Sequence, residues 1–421
     1  MFDVELCRSD EVGTIMQAIA DTDKLVADGI ITASQAAEIE ARARDSMVQL
    51  AINALLCSGI VAATAGLILF LASALAVAVS GGIALGLGLF ILFRGGEMFR
   101  MFGNASTLIG AGMLIGGASV ELLDKYEPVA GLGMALLGAL IAVITGASYV
   151  FKATSTRFVT GAILLMGVAM HIFGVGFLLH QEQISGPLMS LFYLYVTGAL
   201  IAAGWVTDVR LVTALAIAPF AQVLDTGTYY FTAAYVFYSP EATLSILQMS
   251  ALIGLCLWLA LRLPERSSRH AVVLAVMAFI VANLCALVGS IWGDVVGETI
   301  WGPGSWRRSR DMSWEDWSAA QEAFRGTTLI VSEQVYAIIW AMALAVIIAW
   351  STHGNRRGLF NTALTFAGIH GYTQVFESFY SEPLAYVIGG LAAIPLAWGI
   401  WRLNLWIVTR ANGSAKGVDL H

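Results

Sequence analysis

An all-α, polytopic transmembrane bundle of about twelve spans, preceded by a short cytoplasmic helical segment, is the architecture this sequence predicts. Three observations predict it. Of 421 residues, 58% are hydrophobic and only 12% are charged, about half the charge of a soluble domain. Mean hydropathy is +0.78. Apolar runs of about 20 residues, the length that crosses a bilayer as a helix, recur along the chain. So little charge cannot cover a water-facing surface of this size, which excludes an ordinary soluble enzyme, a disordered chain and a disulfide-stapled secreted module.

Residues 1–47 form the first unit, a soluble cytoplasmic helical segment. They hold ten acids and four bases, most of the chain's net charge of -7. Ile15, Ala18, Ile19 and Leu25 suit one helix face, with an end near Asp28 and Gly29 as its C-terminal cap. Thr32 and Gln35 have the spacing of a capping box that opens a second helix through Ala36, Ala37, Ile39 and Ala43. The first 46 residues contain no long apolar run, so no cleavable signal peptide is expected and the first span directs insertion. This acidic segment is either a solvated face or a docking site for a protein partner.

The transmembrane bundle occupies 48–405. Its expected spans are 50–72, 75–93, 105–123, 128–151, 158–179, 187–207, 211–229, 242–262, 271–292, 334–351, 359–379 and 383–405, with 406–421 as a cytoplasmic tail. The seventh is interrupted by Gln222, Asp225 and Thr226. Basic residues set the orientation. Arg42 and Arg44; Arg94 and Arg100; Lys152 and Arg157; Arg210; Arg262, Arg266 and Arg269; Arg356 and Arg357; and Arg410 and Lys416 alternate with acid-bearing connections. The latter carry Glu121, Asp124, Glu127, Glu182, Asp225, Glu241 and Glu382. The positive-inside rule then puts both termini in the cytoplasm.

Glycine is abundant, with 43 residues. The pairs Gly82/Gly86 and Gly112/Gly116 have the spacing that lets helices in lipid pack closely. No internal sequence repeat is evident, although a degenerate inverted repeat, common in transporters, can escape single-sequence reading. The long external loop, 293–333, carries Trp301, Trp306, Trp314 and Trp317, with Arg307, Arg308 and Arg310 followed by Asp311, Glu315 and Asp316. Ser313 with Asp316 starts a short helix that Gly326 ends. Its tryptophans suit the headgroup zone, so the loop is an interfacial helix on the lipid bilayer, a lid, or a docking loop.

Ionisable groups are expensive inside a bilayer and therefore informative. His370, Gln374 and Glu377 follow i, i+4, i+7 on one face of the eleventh span. They are a candidate polar path together with His171 and Asp225; a hydrogen-bonded helix interface is the plainer alternative. Asp225, Thr226 and Gly227 can break or end a helix near the external surface. His171 and His370 could in principle ligate a haem, but no c-type attachment motif is present, and no cofactor is expected. The four cysteines have no metal-ligand spacing. There is no polybasic face for nucleic acid. No HExxH, Walker or nucleophile motif occurs, so no catalytic residues are assigned.

Residues 24–43, KLVADGIITASQAAEIEARA, and 359–404, with Asn361, Tyr372 and Gly389-Gly390, resemble the bacterial membrane proteins of domain of unknown function 2157. That resemblance implies a multi-span protein of the bacterial cytoplasmic (inner) membrane with a cytoplasmic N-terminal segment, and it implies no activity. Three functions fit: a transporter or permease of a small or lipid-like solute, a non-catalytic scaffold or accessory subunit, and an enzyme acting on lipid-linked substrates.

Overall fold

The computed structural model describes residues 22–27, 29–39, 73–94, 99–151, 157–231, 236–303, 313–354 and 356–379, with scattered positions between 58 and 66 and between 384 and 402. Helix α1 is Thr22–Ala27 and α2 covers 33–39. The expected punctuation is there. Gly29, at φ 72°, turns the chain after α1, and Ile30 N–H donates to Leu25 O at 3.0 Å. The capping box closes both ways: Gln35 N–H donates to Thr32 Oγ1 (3.3 Å) and Thr32 N–H to Gln35 Oε1 (2.9 Å).

Among the described residues, eight helices are long and apolar enough to cross a membrane. They are α3 (Ala74–Arg94), α4 (Arg100–Lys125), α5 (Glu127–Phe151), α6 (Arg157–Gln181), α7 (Pro187–Thr207), α10 (Ala242–Ala260), α11 (Glu265–Trp292) and α13 (Glu333–His353). Between them lie α8 (Arg210–Leu215), α9 (Ile217–Gln222) and α12 (Trp314–Arg325); α14 (Arg357–Phe379) follows. Two antiparallel ribbons, β1 (Tyr229–Phe231) with β2 (Val236–Tyr238) and β3 (Asp294–Val295) with β4 (Ile330–Val331), complete the described elements. The expected first and twelfth spans, 50–72 and 383–405, lie largely outside the described residues. The eleventh corresponds to α14, long enough to cross but made more polar by Asn361, His370, Gln374 and Glu377.

The seventh expected span, 211–229, differs. Its helix covers only α8 and α9, about 20 Å at 1.5 Å per residue, short of the roughly 30 Å hydrocarbon layer. The cause is local. Pro219 has no N–H, and its ring clashes with the carbonyl four residues back, at Leu215, where α8 ends. Gln222 ends α9, and Asp225 and Gly227 then take left-handed φ of 57° and 66°. The chain still has to return here. The ends of α7 and α10 sit together, since Arg266 donates to Val206 O and Ser268 donates to Ala260 O. Their starts therefore share the opposite end, called the loop end below.

Contacts divide the chain into two units, 1–121 and 122–421. In the first, large residues point out and small ones in. On α3, Leu75, Val79, Ile83, Leu87 and Phe90 are exposed, whereas Ala78, Gly81 and Gly88 are buried. That inverted pattern suits lipid, where Leu gains nothing by hiding and close backbone approach holds helices together.

The close approaches reveal an internal repeat. Helix α3 ends at Arg94 and α5 at Phe151, while α4 starts at Arg100 and α6 at Arg157; each pair is 57 residues apart. The packing keeps that step. Gly81 abuts Gly110 and Leu114 as Gly138 abuts Gly167 and His171. Gly117 abuts Ala78 and Ala74 as Gly174 abuts Ala135 and Gly131. The α3–α4 and α5–α6 hairpins are thus two copies of one packing unit. Few residues match in sequence, chiefly the small ones at the contacts.

A methyl group on Gly138 would overlap the backbone of His171, whereas Gly198 of α7 has open space around it. Gly138→Ala and Gly81→Ala are expected to destabilise the purified chain by about 1–3 kcal/mol. Gly198→Ala should be neutral or slightly stabilising. Thermal unfolding in detergent measures the contrast, and equal midpoints for all three would contradict this packing.

Candidate functional site

The residues of the expected polar path lie on α6, on α14 and in the turn after α9. His171 stands where the first hairpin has Leu114. Its Nδ1 meets Ala135 O on α5 at 2.7 Å and its Nε2 bonds the Tyr195 hydroxyl on α7. It bridges three helices. His370 lies against α13 instead, edge-on to Trp340 with ring centres 4.7 Å apart. Its Nδ1 and the Nε2 of Gln374 are buried with no hydrogen-bond partner among the described residues. Glu377 is on the same helix, but its side chain lies outside the described residues. Asp225 is exposed in the turn after α9.

In the tryptophan-rich loop, Ser313 caps α12 as expected, its hydroxyl accepting from Asp316 N–H at 3.0 Å, and Gly326 ends the helix. Trp314 and Trp317 pack at 4.9 Å, the first exposed and the second buried. Trp301 is exposed. Trp306, Arg307, Arg308 and Arg310 lie outside the described residues.

The most elaborate polar structure is elsewhere, where α10, α11 and α13 meet the loop. Glu241 precedes α10 and is fully buried. Its carboxylate accepts from Gly297 N–H (2.7 Å), Thr299 N–H (2.6 Å) and the Thr299 hydroxyl (3.0 Å), pinning the turn after β3. Gly297 is required there: φ is 85°, and any Cβ would collide with the Trp301 indole. Next along that turn, Glu298 accepts from Gln321 and Arg325 of α12. One turn thereby ties the helix α12 to the start of α10.

Asp294, the first residue of β3, is only 5% exposed. Its Oδ2 accepts from Thr243 N–H at 2.7 Å and from the Tyr336 hydroxyl at 3.2 Å, and the Thr243 and Tyr336 hydroxyls lie 2.5 Å apart. Its Oδ1 is buried with no partner among the described residues. Beside it, Thr228 Oγ1 joins the hydroxyls of Ser239 (2.9 Å) and Ser245 (2.7 Å), and Ser239 reaches Cys285. This buried hydroxyl knot absorbs the polar groups left by the broken seventh span. Among the described residues, no group of three or more metal-ligating side chains forms.

Thr243 and Tyr336 also form one end of a cavity of about 670 Å³ between α10, α11 and α13. Its walls are almost wholly apolar, built from side chains such as Ile246, Ile253, Phe279, Ala282, Ile339 and Leu344. Midway along, Trp340 donates its indole N–H to Asn283 Oδ1 at 2.9 Å, and Asn283 donates to Phe279 O. The same indole packs edge-on with His370, so the eleventh-span histidine supports a residue of the cavity wall.

The sequence reading counted Glu241 only as an external acid and missed Thr243, Asp294 and Tyr336. Their one sequence signal was placement: each lies within a few residues of a span end, where a polar residue looks ordinary.

Burial pushes both Glu241 and Asp294 above their ordinary carboxyl values of 4.5 and 3.8, outweighing the donors that pull the other way; each acid gains a further upward push from a neighbouring acid, Asp294 for Glu241 and Glu298 for Asp294. The folded chain thus holds these protons more tightly than the unfolded chain. Their stabilising contribution is full below the ordinary carboxyl range and is lost as pH climbs through the raised values. The unfolding midpoint of the full chain should therefore fall with rising pH above 4.5, and a Glu241→Gln, Asp294→Asn double variant should flatten that slope. An unchanged slope in the variant would refute the assignment. Comparison with protein-family models, with curated proteins and with solved structures finds no match for this chain.

Proposed function

We propose that this integral membrane protein is a transporter or permease that binds a small, lipid-like solute between α10, α11 and α13. The observation that carries the reading is the cavity. Its volume of about 670 Å³ falls within the range of small-molecule sites, and apolar walls with a few convergent polar groups are the usual composition of such sites. The scarcity of charge within the apolar helices favours an apolar cargo over an ion-coupled polar one. His171, His370, Gln374, Glu377 and Asp225 then act as supports of the bundle rather than as one continuous path.

The basic residues at the α3–α4, α5–α6, α7–α8, α10–α11 and α13–α14 connections support an orientation with both termini in the cytoplasm and the loop end outside. With the resemblance of residues 24–43 and 359–404 to domain of unknown function 2157, this argues for the bacterial inner membrane. A second reading, an accessory subunit that docks through its external loop, is favoured by the exposure of Trp292, Trp301 and Trp314.

Ala343 lines the cavity and is itself exposed, so a larger side chain there fills space without crowding the core. Chain purified gently from membranes is expected to carry a lipid-like molecule detectable by mass spectrometry. Ala343→Phe should reduce its occupancy severalfold at unchanged folding. Equal occupancy in both proteins would remove the cavity from the mechanism. A stoichiometric protein partner, lost when the 313–326 segment is altered, would favour the accessory reading instead.

A further inference from the structure

The polar end of the cavity has a definite hydrogen-bonding sense. An ionised carboxylate only accepts. Tyr336 spends its single hydroxyl hydrogen on Asp294 Oδ2. The 2.5 Å contact between Thr243 Oγ1 and the Tyr336 oxygen must then use the threonine hydrogen. The Thr243 N–H is also committed to Asp294. Both hydroxyl hydrogens are consumed, and what these two cavity-lining groups still offer is lone pairs. A solute head that only accepts finds no donor there; one that donates finds two oxygens.

Charge points the same way. Asp294 is 5% exposed, and Oδ1 lacks a partner. Glu241, fully buried, is close enough for Asp294 to raise its proton affinity, and Glu298 does the same to Asp294. Among the described residues, neither acid pairs with a base, whereas Asp208 pairs with Arg266 and His270, and Glu298 with Arg325. A buried carboxylate without a counter-charge is costly, and a cation brought beside it recovers much of that cost.

We propose that the loop end of this cavity binds the ammonium head of a lipophilic amine, with the Thr243 and Tyr336 oxygens as acceptors and Asp294 behind them as counter-charge, while the apolar walls hold the hydrocarbon chain. The proposal rests on the cavity reading given above and specifies its ligand. The ammonium supplies three donors, enough for both hydroxyl oxygens and a third acceptor.

Trp340 lines the cavity, and bromine quenches indole fluorescence on contact, so brominated amphiphiles report occupancy. The full chain in lipid nanodiscs would be titrated with 12-bromododecylamine, 12-bromododecanol and 12-bromododecanoic acid. The saturable quenching that Trp340→Phe removes would be recorded for each. The amine is expected to bind at least about tenfold more tightly than the alcohol or the acid, the scale of one hydrogen bond to a charged group. Asp294→Asn should bring the amine to the level of the alcohol. Tyr336→Phe, which removes a single oxygen and is the gentler change, should lower amine affinity while leaving the alcohol less affected. Alcohol or acid binding as tightly as amine in the wild type would overturn the proposal while leaving the cavity intact as a site. So would an amine preference that survives both substitutions. The absence of Trp340-dependent quenching by every probe, with Ala343→Phe making no difference, would overturn the cavity reading together with this one.

Discussion

Helices in lipid gain nothing by burying leucine against leucine, because the solvent is already hydrocarbon; contact between backbones is what remains to hold them. This chain meets that constraint with glycine and alanine on the inner faces and leucine, valine and phenylalanine outside. Gly81, Gly110, Gly138 and Gly174 bring backbones to distances that no side chain permits. Within its own unit, the α5–α6 hairpin so formed is a frame for α7. Even His171, an ionisable residue in mid-helix, serves this frame by joining the α5 backbone to Tyr195 of α7.

Packing changes in character toward the end of the chain. Among α10, α11, α13 and α14 the contacts use larger residues, including Met249, Trp340, Leu344 and Phe366, and such shapes leave space where glycine would not. The cavity lies there. Its polar end forms where the starts of α10 and α13 meet β3. Pro219 and the Asp225–Gly227 turn leave backbone and hydroxyl groups that need partners below the surface. Thr228, Ser239 and Ser245 satisfy one another, while Glu241 and Asp294 take up the N–H groups of neighbouring turns. The carboxylates are therefore structural in origin, and the same burial that makes them structural gives them chemical potential as acceptors.

Much of the bundle was legible in the sequence. Apolar length marked α3 to α7, α10, α11 and α13, and the caps at Thr32, Gly29 and Ser313 were readable because a cap is a local agreement between neighbours. The seventh span misled because hydropathy averages over Pro219, while the helix does not. The cavity residues were illegible for a different reason. Thr243, Asp294 and Tyr336 are dispersed over some ninety positions, and only tertiary packing joins them. The repeat was hidden as well. What it preserves is the absence of side chains at matched depths, and absence leaves almost no identity to detect: Leu114 and His171 occupy equivalent places with opposite chemistry.

That repeat bears on how such a chain can grow. A two-helix hairpin leaves one face of the membrane and comes back to it. Copying a hairpin therefore adds two crossings and leaves the sidedness of everything downstream unchanged, whereas copying one helix would turn every later loop inside out. A 57-residue step containing both helices and their connection is the smallest insertion that preserves sidedness in this way. Growth by whole hairpins would keep the sidedness of every later loop, however many copies were added.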